Sequence, residues 1–262
     1  MYRAGILAWH YLRTAVMNEL QYRINFVIQL FETAIALVTA LVVLSLVYAQ
    51  TDSLGGWSRY ELQALLGIYT LFSAVVRFSI QPNIERLMTD IQKGTFDYVL
   101  VKPIDAQVHV SIREVRVWQF IDIVAGGAIL VDALWRLGAP ISFGQLLLFV
   151  ATLLCGLVLI YTIWLLLSCI AFWVVRVDNI FELFDNIASA GRLPVDIYPR
   201  WMRVILTYLV PMAFAVTVPS EVIIGRINAT NVGIQVLVTV GFFILTRLVW
   251  ARALVRYSGA SA

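Results

Sequence analysis

"NIERLMTDIQKGTFDYVLVKPI", residues 83–104, carries the charged side chains Glu85, Arg86, Asp90, Lys93, Asp97 and Lys102 between two long apolar runs. The chain around it does not favour such a stretch. Of its 262 residues, 61% are hydrophobic and 13% charged, and its mean hydropathy is +0.87. A soluble domain is about half apolar and about a quarter charged. The chain therefore reads as an all-α integral membrane protein forming one domain over residues 1–262, with 83–104 as a polar connection between two crossings.

That connection has a helical period. Pro82 suits a first turn, where its missing N–H costs nothing. Ile84, Leu87, Met88 and Ile91 then recur as one apolar stripe. Asn83, Glu85, Arg86, Thr89, Asp90 and Lys93 cover the other face, and Gly94 stands where a C-terminal cap belongs. The pattern predicts a helix about 16 Å long, its stripe resting on the membrane and its polar face in water. "TFDYVLV" is expected to follow as an extended run until Pro103.

A crossing needs about 20 apolar residues. Runs at 24–48, 60–80, 118–135, 143–175 and 227–250 qualify, and 179–194 is a weak candidate for a sixth span. The third is expected to extend backwards as helix through His109, Arg113 and Arg116. Residues 194–226 hold Pro199, Pro211 and Pro219. Proline kinks helices, so this segment reads as two short helices joined at a bend, a re-entrant pair between the last two spans. A rival reading lays 179–200 on the membrane surface and makes 201–224 the fifth span. Residues 1–23, basic and Trp-bearing, read as an amphipathic helix in the membrane interface.

Lys and Arg concentrate on the cytoplasmic side. With six spans and the N-terminus inside, twelve of the 19 basic residues fall inside, six outside, and Arg77 within the bilayer. Both termini and the 82–104 connection are then cytoplasmic. Trp57, Tyr60, Trp135, Trp201 and Trp250 lie near span ends, where aromatic belts are expected.

Chemistry is sparse. Cys155 and Cys169 are about 21 Å apart on one helix and cannot bridge. His10 and His109 are the only histidines. With no H-E-x-x-H, no G-x-S-x-G and no phosphate-binding G-x-x-x-x-G-K-[ST], neither a metal site, a catalytic residue nor a resident cofactor is expected. The net charge of +3, scattered along the chain, gives no nucleic-acid signal. Charges inside spans are costly and should face protein or water. Glu32, Arg77 and Asp122 lie at similar depth and could pair. Glu182 and Asp185 share a helix face and could line a path for cations.

The stretch Lys93, Gly94, Asp97, Leu100, Lys102 and Pro103 resembles the coupling region of ABC exporter permeases of the second type, the ABC-2 type. "RLPVDIYPRWMRVILTYLVPMAFAVTVPSEVIIG", 192–225, is similar to a signature of that family's small six-span branch. The resemblance covers most of the chain. It implies a permease of the bacterial inner membrane that pairs with an identical or related permease and two cytoplasmic ATPase subunits. ATP and Mg would be bound there and not by this chain. It further implies that Glu85, Arg86, Asp90, Lys93, Gly94, Asp97 and Lys102 meet the ATPase, and that Pro199, Pro211 and Pro219 shape an external gate. An ion-coupled carrier using Glu32 and Asp185, or a membrane-embedded enzyme, are the competing classes.

Overall fold

A computed structural model describes residues 9–11, 13, 14, 16, 17, 23–138, 140–173, 186, 187, 189–209, 211 and 213–257. Among them, five helices are long and apolar enough to cross a membrane. These contain α1 (Arg23–Tyr48), α2 (Arg59–Gln92), α5 (Phe120–Leu137), α6 (Phe143–Cys169) and α9 (Ala229–Arg256). The short helices α3 (Asp97–Leu100) and α4 (Ala106–Val110) lie between α2 and α5. Arg200–Val204 (α7) and Val218–Ile223 (α8) lie between α6 and α9. Of the expected span at 179–194, residues 179–185 and 188 fall outside the described residues, and Ser189–Arg192 forms a 3-10 turn. Of the 1–23 segment, residues 9–11, 13, 14, 16 and 17 are helical.

Local chemistry explains where the helices start. Glu61 accepts a hydrogen bond from the Ser58 backbone at 2.8 Å. Ser142 Oγ accepts from Gln145 N at 3.1 Å, and Asn228 Oδ1 accepts from Thr230 N at 3.0 Å. Each satisfies an amide that the first turn leaves open.

The helices α1, α2, α5 and α6 alternate in direction and α9 runs parallel to α6, so the bundle has a charged end, holding 81–116, and an opposite end, holding 49–58, 138, 140–142 and 225–228. Inside lipid the hydrophobic effect does not drive helices together; small residues and polar ties do. At Gly67 and Gly126, α2 and α5 meet backbone to backbone. A Cβ on Gly126 would stand 2.5 Å from Leu71 N, and one on Gly67 2.7 Å from Leu130 N. Polar ties hold the other half. Gln235 of α9 is fully buried and donates to Thr152 O in α6 and to Phe214 O, both at 2.7 Å. Thr246 of α9 donates to Thr162 O of α6 at 3.0 Å.

The proline-rich segment leaves and returns at the opposite end. Ile197 lies against Gly55, and Arg226 Nη2 donates to Gly56 O at 2.9 Å. Between them Ala215 sits on Gly156, well inside α6. Pro199 precedes α7, and Pro219 opens α8 after a π-turn over Ala213–Thr217. The carbonyl of buried Pro211 accepts from Phe214 N and Ala215 N.

Several expectations are corrected. The helix at 82–93 does not start afresh at Pro82 but continues the second span without a break, through a π-turn at Val76–Ile80. Its stripe does not rest on lipid: Ile84, Leu87 and Met88 are buried in the protein core. "TFDYVLV" is not extended, since Asp97–Leu100 is helical. The third span is not helical back through Arg113 and Arg116, because 111–116 is irregular. Trp135 and Trp201 face outward, but Trp57 and Trp250 are buried and serve the core rather than a belt.

The glycine contact predicts an asymmetry between neighbours. Gly126→Val should destabilise the protein by about 1–3 kcal/mol, the usual cost of overpacking, whereas Gly127→Ala, where nothing lies within 4 Å, should be nearly silent. Thermal unfolding in detergent distinguishes the two.

Candidate functional site

The charged end is built on one proline. Pro82 has no N–H, and its ring would crowd the carbonyl four residues earlier. The wide turn at Val76–Ile80 relieves that crowding and leaves Phe78 O free. Arg116 N donates to it at 2.9 Å. Next to Pro82, buried Asn83 completes the join. Its Nδ2 donates to Ser79 O at 2.6 Å and to Glu114 O at 2.7 Å. Its Oδ1 accepts from Arg113 N at 2.8 Å and Glu114 N at 3.0 Å. All four bonding positions of the amide are used. This explains why 111–116 cannot be helix: its amides are spent on α2.

Ion pairs repeat the connection. Arg113 Nη1 lies 2.6 Å from Asp90 Oδ2, with 11% and 8% of the side chains exposed. Removing one partner of so buried a pair costs about 3–5 kcal/mol. Arg116 pairs with Glu85. Arg86 reaches Glu114 at 3.4 Å on the surface, a contact of little net value. Glu85, Arg86 and Asp90, expected to face a partner, thus bind the entry to α5.

Beyond Gln92 the chain turns at Gly94, whose φ of +68° is the left-handed conformation that caps helices. Phe96 then enters the bundle. It is fully buried and meets Phe172, Trp250 and Tyr257 edge-on, with centroids 5.7, 6.2 and 5.2 Å away. Asp105 caps α4, accepting from Val108 N at 3.2 Å, and pairs with Arg247 of α9 at 2.8 Å. The Arg247 guanidinium holds its carboxyl below the usual carboxylate range. Gln107 and Ser111 both bond to the Tyr161 hydroxyl of α6. Outward from this frame stand Lys93, Tyr98, Val101 and Lys102, with Tyr98 73% and Val101 79% exposed. Asp97 is half-buried.

His109 is buried, and Lys102 Nζ lies 2.9 Å from its Nε2. The ammonium can only donate, so Nε2 accepts and the proton sits on Nδ1. Burial, then the charges of Lys102 and Arg113, push the imidazole down to about 4.

Within the spans, the Glu32–Arg77 pairing is not formed. Glu32 is exposed on α1. Asp122 accepts from Thr33 and, at 3.2 Å, from Gln29 Nε2. Arg77 and Asp122 line a cavity of about 130 Å³ with Thr70, Ser73 and Arg192. The Arg192 guanidinium lies over the Tyr69 ring at 5.6 Å. Glu182 and Asp185 lie outside the described residues. Among the described residues, no group of His, Cys, Asp and Glu could hold a metal. Asn83, Phe96 and Glu114 were not anticipated. A polar Asn beside a proline was the available signal for the first.

A family model described as "ABC-2 family transporter protein" matches residues 34–261. Comparison with curated proteins and with solved structures gave no match.

Two outcomes are expected. Asn83→Ala leaves several buried polar groups unpaired, at about 1–3 kcal/mol each, so hydrogen exchange at the amides of Arg113, Glu114 and Arg116 should accelerate at least tenfold while exchange in α6 does not. For His109, the unfolded chain, titrating near 6.5, binds a proton before the folded one does near 4. Its contribution to stability is therefore complete above pH 6.5 and is lost as pH falls towards 4. His109→Gln should flatten the thermal-stability profile over the upper part of that window.

Proposed function

The chain belongs to the ABC-2 family of transporter proteins, and from that premise we propose that it is the permease subunit of an ATP-driven exporter. Its spans, six with the one at 179–194, form the translocation path through a bacterial inner membrane, with both termini in the cytoplasm. A second permease, identical or related, completes the path. Two ATPase subunits, carrying ATP and Mg, dock beneath the charged end, and the chain itself does no covalent chemistry. Residues 194–226 form an external re-entrant gate.

The observation that carries this reading is the exposed face beyond Gly94. Tyr98 and Val101 stand 73% and 79% exposed with Lys93 and Lys102 beside them. They sit on a frame tied by backbone bonds to α2 and the entry of α5 and by Asp105 and Gln107 to α9. Large apolar side chains flanked by charge suit a protein partner. A push on that face reaches several spans at once. Glu85, Arg86 and Asp90 act here as braces, and Gly94 sets where the braced helix ends. The cavity of Arg77 and Asp122 lies along the path and exposes cargo to both signs of charge; Glu32, exposed on α1, does not line it, and Glu182 and Asp185 are assigned to the path from the sequence alone.

Val101→Asp should leave insertion and thermal stability intact but abolish co-purification of the ATPase from native membranes, while Val101→Leu retains it. Gly94→Val, forced into a backbone conformation that costs about 1–2 kcal/mol, should keep the ATPase bound yet cut transport-stimulated ATP hydrolysis at least fivefold. Full co-purification by the Asp variant together with full coupling in the Val variant refutes the assignment.

A further inference from the structure

Under the N-terminal helical residues Tyr11 and Thr14, and behind Tyr98 of the face proposed for the ATPase, lies a cavity of about 540 Å³. Its size is that of a small-molecule site. Its remaining wall is chiefly Arg86, Asp90, Lys102, His109, Arg113 and Glu114.

The hydrogen-bonding balance of this wall is lopsided. Arg113 Nε and Nη2 and His109 Nδ1 are buried without a partner among the described residues. All three carry protons, the last because Nε2 faces the Lys102 ammonium. Buried polar groups are almost always satisfied, so three unmet donors on one cavity call for an explanation. The acceptors are already engaged. Asp90 takes Arg113, Arg86 and Thr95, and Glu114 takes Arg86. What the cavity lacks is an anion rich in acceptor oxygens.

Its position narrows the anion. At about 100° per residue, Tyr11 and Thr14 lie about 60° apart on one side of their helix, Trp9 points away from both, and Met17 falls between Thr14 and Trp9. Trp9 is 64% and Met17 58% exposed, as suits residues dipping into a bilayer interface. The cavity mouth then lies near the level of lipid phosphates. We propose that this cavity binds a phosphate ester, with Arg113, Lys102 and His109 Nδ1–H as donors, and that its natural source is the headgroup of an anionic phospholipid. A soluble phosphate is the other source of the same chemistry. The site shares Tyr98 and Lys102 with the face proposed for the ATPase, but phosphate binding requires neither a bound ATPase nor a direction of transport.

The test uses the full-length protein in nanodiscs of phosphatidylcholine, with and without phosphatidylglycerol, followed by native mass spectrometry. Wild type should retain phosphatidylglycerol about tenfold over phosphatidylcholine. Lys102→Gln, at an exposed position, and Arg113→Lys, which keeps a cation facing Asp90 but loses the guanidinium fork, should each reduce that retention at least fivefold. In phosphatidylcholine alone, inorganic phosphate is titrated while thermal unfolding is followed. A rise in Tm that both variants lose, with no lipid preference, assigns the site to soluble phosphate and upholds the phosphate-ester chemistry. No lipid preference and no phosphate effect, or variants that behave as wild type, overturn the proposal. Because only binding is read, a negative result leaves the permease reading standing.

Discussion

The charged end depends on what happens to one carbonyl. Pro82 offers no amide, so Phe78 O must find a donor outside its own helix, and Arg116 N supplies it. Asn83 then binds the two residues on the near side of that contact, both N–H and C=O of Glu114 included. Proline inside a helix usually means a hinge. Here the groups it frees are recovered by a neighbouring segment, and the joint becomes a weld. The helix over 81–92 and the entry to α5 therefore move together or not at all.

The weld extends upward. α2 and α5 also meet at Gly67 and Gly126, where their backbones approach too closely for any Cβ. Fixed at the charged end and at mid-height, the two helices form one rigid ladder. α6, α9 and the proline-rich segment form a second unit, held by Gln235, Thr246 and, at the far end, by Gln145, whose Nε2 donates to Val222 O and Ile223 O. The 93–111 connection bridges these units. Phe96 plugs it into α9 and the end of α6, and Asp105, Gln107 and Ser111 pin it to the same pair. Displacing one unit against the other must strain this connection, which is why the proposed partner is placed there.

Much of this was legible in residue order. The apolar runs marked five long helices to within a few residues at most ends. Gly94 announced its left-handed turn, and the prolines of 194–226 announced two short helices with a bend. What the order hid was non-local. A π-turn leaves no compositional trace, so Pro82 read as a beginning when it lies inside one helix from Arg59 to Gln92. The amphipathic stripe of Ile84, Leu87 and Met88 was correct as a period, but period alone cannot tell lipid from protein as the covering phase. Asp90 and Arg113 are 23 residues apart, and nothing in the local pattern of either reveals the other. Residues 111–116 carry ordinary helix formers and lose their helix because Asn83, some thirty residues earlier, takes their amides.

That hidden pairing changes where recognition can reside. If Glu85, Arg86 and Asp90 faced a partner, binding would rest on long-range charge and would weaken steeply with salt. With those charges paired inside the chain, the face we propose for a partner rests on Tyr98 and Val101 with a fringe of lysine. Apolar anchors in a charged rim bind through desolvation and shape, which salt affects little. They also demand that the anchors be held still, because ordering a loose loop on binding would consume the gain. The Asn83 clamp and the Phe96 plug meet that demand. On this argument the braces are what make a short apolar patch sufficient, and the cluster of charges that first distinguishes residues 83–104 acts mainly to keep its two most exposed hydrophobic side chains in place.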